Sequence, residues 1–145
     1  MANIVRFHFL YSFSLTNRKQ LKQFIAGIFK KEGFQLEALD YIFCSDEYLL
    51  KINQDFLQHD DYTDIITFDL SESDAIISEI YISAERVKEN AKLNGQSFHE
   101  ELRRVMFHGA LHLCGYKDKL KKAKTLMTQM EDHYLAKYKK RSGLK

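Results

Sequence analysis

Two β-branched apolar runs, Thr63–Asp69 (TDIITFD) and Ile76–Ser83 (IISEIYIS), stand close together with a polar turn at Ser71–Asp74 between them. Runs of this length and composition read as strands, and a short polar connection makes them a hairpin pair. Asn3–Leu10 (NIVRFHFL) sets Ile4, Arg6 and His8 against Val5, Phe7 and Phe9. That period of two also predicts a strand. Leu39–Cys44 supplies a fourth.

Between and after these strands the period changes. Leu21, Phe24, Ile25, Ile28 and Phe29 fall at offsets 0, 3, 4, 7 and 8, the stripe of an amphipathic helix. Thr16 or Asn17 can cap it and Gly33 can stop it. Ser45 caps a second helix with Asp46 and Glu47 in its first turn, carrying Leu49, Ile52, Asn53 and Phe56 on one face. Gln58–Tyr62 then reads as a polar loop. Ser83 opens a third helix through Val87 and Ala91, ended by Asn94 and Gly95. Ser97 and Glu100 form a capping box for a fourth, carrying Leu102, Val105, Met106 and Leu113 and stopping at Gly115. A last helix from about Lys119 to Tyr138 has the stripe Ala123, Leu126, Met127, Met130 and Tyr134. The order βαβαββααα predicts a single α+β domain over residues 1–140: a four-stranded mixed sheet packed with about five helices. Residues 141–145 form a basic tail.

Composition narrows the function. The chain has 145 residues and a net charge of +2, which hides an asymmetry. Residues 117–145 hold ten Lys/Arg and three acids, +7, whereas the preceding 116 hold twelve and seventeen, −5. Such a split fits either a polyanion-binding surface or a solvated helix face. No apolar run reaches the roughly 18–20 residues of a membrane span. The first fifteen residues lack a basic leader and a small-residue cleavage site, so no signal peptide is expected. Two cysteines, Cys44 and Cys114, make no disulfide framework and suit a reducing cytoplasm.

The chemistry concentrates in Phe107–Lys119 (FHGALHLCGYKDK). On a helix, His108 and His112 project from nearly one face, with about 6 Å between their Cβ atoms. That spacing lets two neutral imidazoles share one metal. Gly115 ends the helix, and Asp118 beyond it can return as a carboxylate ligand, leaving a fourth position for water. Gly109 and Gly115 would clear space around both histidines. Cys114 is the rival ligand, and two solvated histidines are the bland alternative. A zinc peptidase would carry His-Glu-x-x-His, but Gly109 occupies the position of that Glu. His8, His59, His99 and His133 read as structural or solvated, His59 being the one whose loop could border the site.

The segment HGALHLCGY at His108–Tyr116 resembles the YbeY family signature, His-Gly-x-Leu-His-Leu-x-Gly-Tyr-Asp-His. Thr63–Phe68 is similar to that family's Thr-Asp/Asn-Val-Leu-Ser-Phe strand, Ile52-Asn53 to its Leu-Asn, and Ile80–Ser83 to the end of its Gly-Asp-Ile-x-Ile-Ser strand. The resemblance implies a zincin-like metal helix and one hydrolytic metal, usually zinc, held by three histidines. It also implies endoribonuclease activity in ribosomal RNA maturation at the 3′ end of the small-subunit RNA, with a role in ribosome quality control. His108 and His112 match the first two ligands. The third family histidine falls at Asp118, and Lys117 replaces the preceding Asp. The family arginine expected after an aromatic falls at Leu57.

The reading is therefore a cytoplasmic endoribonuclease whose water is activated by one divalent metal, Zn2+, on His108, His112 and Asp118. Lys117, Lys119, Thr63 and Asp64 are the candidate substrate contacts, and the partners are ribosomal RNA and the small ribosomal subunit. The alternatives are a non-catalytic ribosome-associated factor with a structural metal, or a metallohydrolase of another substrate such as peptide.

Overall fold

A computed structural model describes residues 4–58 and 62–143. The strands are β1 (Val5–Phe9), β2 (Leu36–Cys44), β3 (Ile65–Asp69) and β4 (Ile76–Ser83). The helices are α1 (Arg18–Lys31), α2 (Asp46–Leu57), α3 (Ala84–Leu93), α4 (Phe98–Leu113) and α5 (Lys121–Ser142). The element order is the one the periodicities predict. His59, the last two residues of the predicted basic tail and the predicted start of the first strand lie outside the described residues, and Arg141 and Ser142 of that tail continue α5.

The strands form one mixed sheet in the order β1-β2-β4-β3. β1, β2 and β4 run parallel, and β3 closes the far edge antiparallel to β4, with Thr67 opposite Ile80. The predicted hairpin is therefore present. β2 begins earlier than its apolar run because Leu36 and Ala38 also pair with β4, across a register shift.

Alternation along β1 places Val5 in the core, while Arg6 and His8 both reach the Asp40 carboxylate at 2.7 Å on the outer face. The main core lies between the sheet and α1, α4 and α5, built on Tyr41, Phe43, Ile80, Ile82, Phe29 and Phe107. A smaller cluster of Cys44, Leu49, Ile52 and Ile66 lies under α2.

Ser45, Ser83 and Ser97 cap their helices as predicted, each hydroxyl accepting from the backbone N–H three residues on. At Ser97 the box is modified: its hydroxyl also reaches the Glu100 carboxylate at 3.1 Å. Asn17 caps α1 in a left-handed conformation, φ 56°, without a side-chain bond, a backbone state that Asn tolerates better than most residues.

The stripe of α5 departs from expectation. Leu126 is 48% exposed, and the buried face is Met127, Glu131, Tyr134 and Tyr138. Tyr134 and Tyr138 pack on Phe24, which fixes the helix rotation and turns a carboxylate inward at Glu131. No described helix is long and apolar enough to cross a membrane.

Candidate metal centre and cleft

α4 carries the paired histidines, and its closeness to the sheet sets where they stand. A Cβ on Gly109 would lie 2.9 Å from Ile80 Cδ1 and 3.0 Å from Ile65 Cδ1. Gly109 therefore does not clear space around the imidazoles, as its place between them suggested. It faces the sheet and lets the helix backbone approach β3 and β4. The Tyr41 hydroxyl, fully buried, donates to the Met106 carbonyl at 2.8 Å and ties the same helix to β2.

The helix ends at Leu113 with Cys114 as its C-cap, and Gly115 takes φ 98°, which a Cβ would strain. Gly115 N–H donates to the His112 carbonyl and Tyr116 N–H to the Leu111 carbonyl. The chain thereby reverses and brings Asp118 back, its Oδ2 3.1 Å from His108 Nε2.

The other ring nitrogen, His108 Nδ1, donates to Glu131 Oε2 at 2.6 Å. Glu131 Oε1 accepts from Arg104 at 2.9 Å, and Arg104 also donates to Asp132 at 2.6 Å. A relay Asp118–His108–Glu131–Arg104–Asp132 thus joins the turn, α4 and α5. Burial works against a charged His108, but the Glu131 hydrogen bond and the charges of Glu131, Asp118 and Asp64 outweigh it and raise its pKa. Burial raises the Asp64 carboxyl, with Glu131 adding to the effect against the pull of His108 and Arg86. Glu101 is raised by burial too, although Arg104 opposes it.

His108, His112 and Asp118 line one cleft of about 510 Å³ with Lys119, Thr63 and Thr67. Asn53, Leu57 and Tyr62 also line it, and the Arg86 guanidinium lies 5.5 Å from the Tyr62 ring centre. Among the described residues, no three His, Cys, Asp or Glu side chains gather closely enough to hold a metal ion at once. The donor chemistry nonetheless fits one. Two imidazoles and a carboxylate suit zinc, and two atoms sharing a tetrahedral zinc at about 2.1 Å stand about 3.4 Å apart, near the His108–Asp118 separation of 3.1 Å. A carboxylate on the remote imidazole nitrogen is the usual support of a metal-binding histidine.

Comparison with known proteins gives the lineage. Residues 11–139 match the model of the family described as Endoribonuclease YbeY. The chain belongs to the YbeY endoribonuclease family. A Cytophaga hutchinsonii relative named Endoribonuclease YbeY is 50% identical over 125 residues, 86% of this chain and 87% of its own. A Flavobacterium johnsoniae relative of the same name is 43% identical over 133 residues, 92% and 96% of the two chains. A Thermotoga maritima protein solved in solution shares the fold with a TM-score of 0.67 and 30% identity, covering 94% of this chain and 90% of its own. YbeY proteins carry a nuclease name, so this chain is a member of a family of nuclease hydrolases.

Set against the YbeY signature, the departures occupy different places. Asp118 stands at the cleft beside His108, whereas Lys117 lies outside it, in a neighbouring depression with Glu32 and Tyr116. Lys119 and Thr63 line the cleft. Asp64 does not, but it acts electrostatically on His108. Leu57 lines the cleft where the family arginine was expected. Cys114 is buried away from the cleft, beside Glu32 and Tyr116, its thiol pushed up to about 12 by burial and then by Glu32.

Glu131 and Arg104 escaped the sequence reading. The available signal was a carboxylate in a stripe position, four residues after Met127 and three before Tyr134. The remaining described histidines are structural or solvated as expected: His8 on Asp40, His99 on the Ser14 carbonyl at 2.9 Å, and His133 exposed.

Proposed function

We propose that this chain is a metal-dependent endoribonuclease of ribosomal RNA maturation, acting in the cytoplasm on the small-subunit RNA 3′ end and in ribosome quality control. The observation that supports it most is the single cleft shared by His108, His112 and Asp118, with His108 Nδ1 held by buried Glu131. His108, His112 and Asp118 would hold one divalent cation, Zn2+ by the donor set. When bound, such a cation supplies a Lewis acid and lowers the pKa of water toward about 7.

The chain's own groups do the rest. Glu131 fixes the ring plane of His108 and keeps its proton on Nδ1, so that Nε2 faces the cleft. Lys119 places a positive charge where a phosphodiester enters, and Thr63 and Thr67 offer hydroxyls beside it. Tyr62, 54% exposed and backed by Arg86, offers a ring face to a base at the cleft's edge.

Elemental analysis of the purified protein and cleavage of RNA and peptide panels test the reading together. One equivalent of metal, RNA cleavage, and loss of both in His112→Ala are expected. The proposal fails if no divalent ion binds under any loading condition, or if His112→Ala cleaves RNA at the wild-type rate. Ribosome co-sedimentation without turnover, surviving metal removal, would instead identify a binding factor.

A further inference from the structure

α1 and α5 enclose a second cavity, of about 360 Å³, that shares no lining residue with the cleft. Its floor is apolar: Phe24, Gly27, Ile28 and Tyr134. Its rim is Lys31, Lys137, Lys140 and Arg141, and no acidic residue lines it. Glu32, next to Lys31, is engaged in accepting the hydroxyls of Tyr116 and Tyr134. Gly27 keeps the cavity open, since nothing lies within 4 Å of where its Cβ would be.

From the joining of this apolar floor to a rim of four cations, we propose that the cavity is a second RNA-binding subsite, taking one nucleotide of a strand outside the scissile position. The base lies on Phe24, Ile28 and Tyr134, and the flanking phosphates meet the lysines and Arg141. Charge complementarity selects this occupant: four cations with no carboxylate in the lining repel one another until an anion joins them. The neighbouring Lys31 charge holds the Lys137 ammonium below the usual lysine range. Cations in the last helical turn also complement the helix dipole, which accounts for Lys140 and Arg141 but not for the open apolar floor between them. The proposal rests on the endoribonuclease reading for its choice of RNA, but not on the metal.

Binding is measured in EDTA, by fluorescence anisotropy of the full chain with a labelled twelve-nucleotide oligoadenylate and with an abasic strand of the same length. Gly27→Leu fills the cavity at a position with room for a side chain. It should weaken oligoadenylate binding about tenfold while leaving the abasic strand and the salt slope unchanged. Lys31→Gln/Lys137→Gln/Lys140→Gln should weaken both strands and flatten the log–log salt slope by about 0.7 for each phosphate no longer neutralised. Wild-type affinity in both variants overturns the proposal, and so does equal binding of the two strands by the wild type. Cleavage of a single-stranded small-subunit RNA fragment, with divalent metal present, reports separately on the cleft. Its absence would overturn the enzymatic reading while leaving the binding result standing.

Discussion

Glu131→Gln tests the relay with almost no change of shape. The wild-type carboxylate accepts from two donors, Arg104 at 2.9 Å and His108 Nδ1 at 2.6 Å. A glutamine amide has one oxygen and one NH2, so it can satisfy only one of them and turns a donor toward the other. Arg104 has an alternative in Asp132 and is 35% exposed, so loss on that side is screened. His108 has none on that side except a change of tautomer, accepting at Nδ1 and carrying its proton on Nε2.

A hydrogen bond to a charged group contributes about 1.5–3 kcal/mol, and retention of one of the two bonds brings the expected loss of stability to about 1–2 kcal/mol. The tautomer change also removes the lone pair that Nε2 presents to the cleft. Loss of such a remote support typically costs about 10–100-fold in metal affinity. Urea unfolding of the metal-free protein gives the first quantity, and zinc competition against a chromophoric chelator gives the second. Arg104→Gln is the control: it leaves the Glu131–His108 bond intact and should lower zinc affinity much less than Glu131→Gln. If Glu131→Gln unfolds at the wild-type urea midpoint and binds zinc within twofold of wild type, the relay does not orient His108 and the reasoning is wrong.

Three further outcomes follow from the packing and charge. Tyr41→Phe keeps the ring but removes the bond to the Met106 carbonyl, and should cost about 1 kcal/mol in urea unfolding with no loss of secondary structure by circular dichroism. Gly109→Ala sets crowding against Ile80 and Ile65, about 1–3 kcal/mol, against a helix-propensity gain of about 1 kcal/mol. A net loss is expected, and Ile80→Val, which removes the nearest clashing carbon, should recover part of it in a double-mutant cycle. At Asp40, burial favours the neutral acid, but Arg6 and His8 outweigh it and hold the carboxyl below its ordinary 3.8. Its contribution is complete above about 3.8 and lost as pH falls through the lower folded value, so Asp40→Asn should flatten the acid limb of the stability profile in that range.

How much of this was legible in the chain depends on how local the determinant is. The alternation of Arg6 and His8 with Phe7 and Phe9, and the stripe from Leu21 to Phe29, are written in neighbouring residues, and both are present in the fold. The strand order β1-β2-β4-β3 is not local: it places β4 between β2 and the hairpin partner that precedes it. The rotation of α5 was misjudged for the same reason. Leu126 is the more apolar choice at its position, but aromatic packing on Phe24 across the core outvotes it and buries Glu131 instead. His108 and Glu131 are 23 residues apart, a pairing no spacing rule anticipates.

Gly109 shows what that distance between pattern and packing means for function. As a sequence position it is the missing glutamate of a zinc peptidase, and the absence looks like a substitution that another fold position could repair. In the structure it is the face of α4 turned to the sheet, about 100° around the helix from His108. A Cβ alone already meets Ile80 at 2.9 Å, so a glutamate there would have to push the helix off β3 and β4 or carry its carboxylate into an aliphatic core. The closeness that brings His108 and His112 to the cleft therefore excludes the peptidase base from this helix. Restoring the motif with Gly109→Glu should destabilise the fold rather than confer peptide hydrolysis. Any proton transfer in the cleft must therefore use groups other than a side chain at position 109.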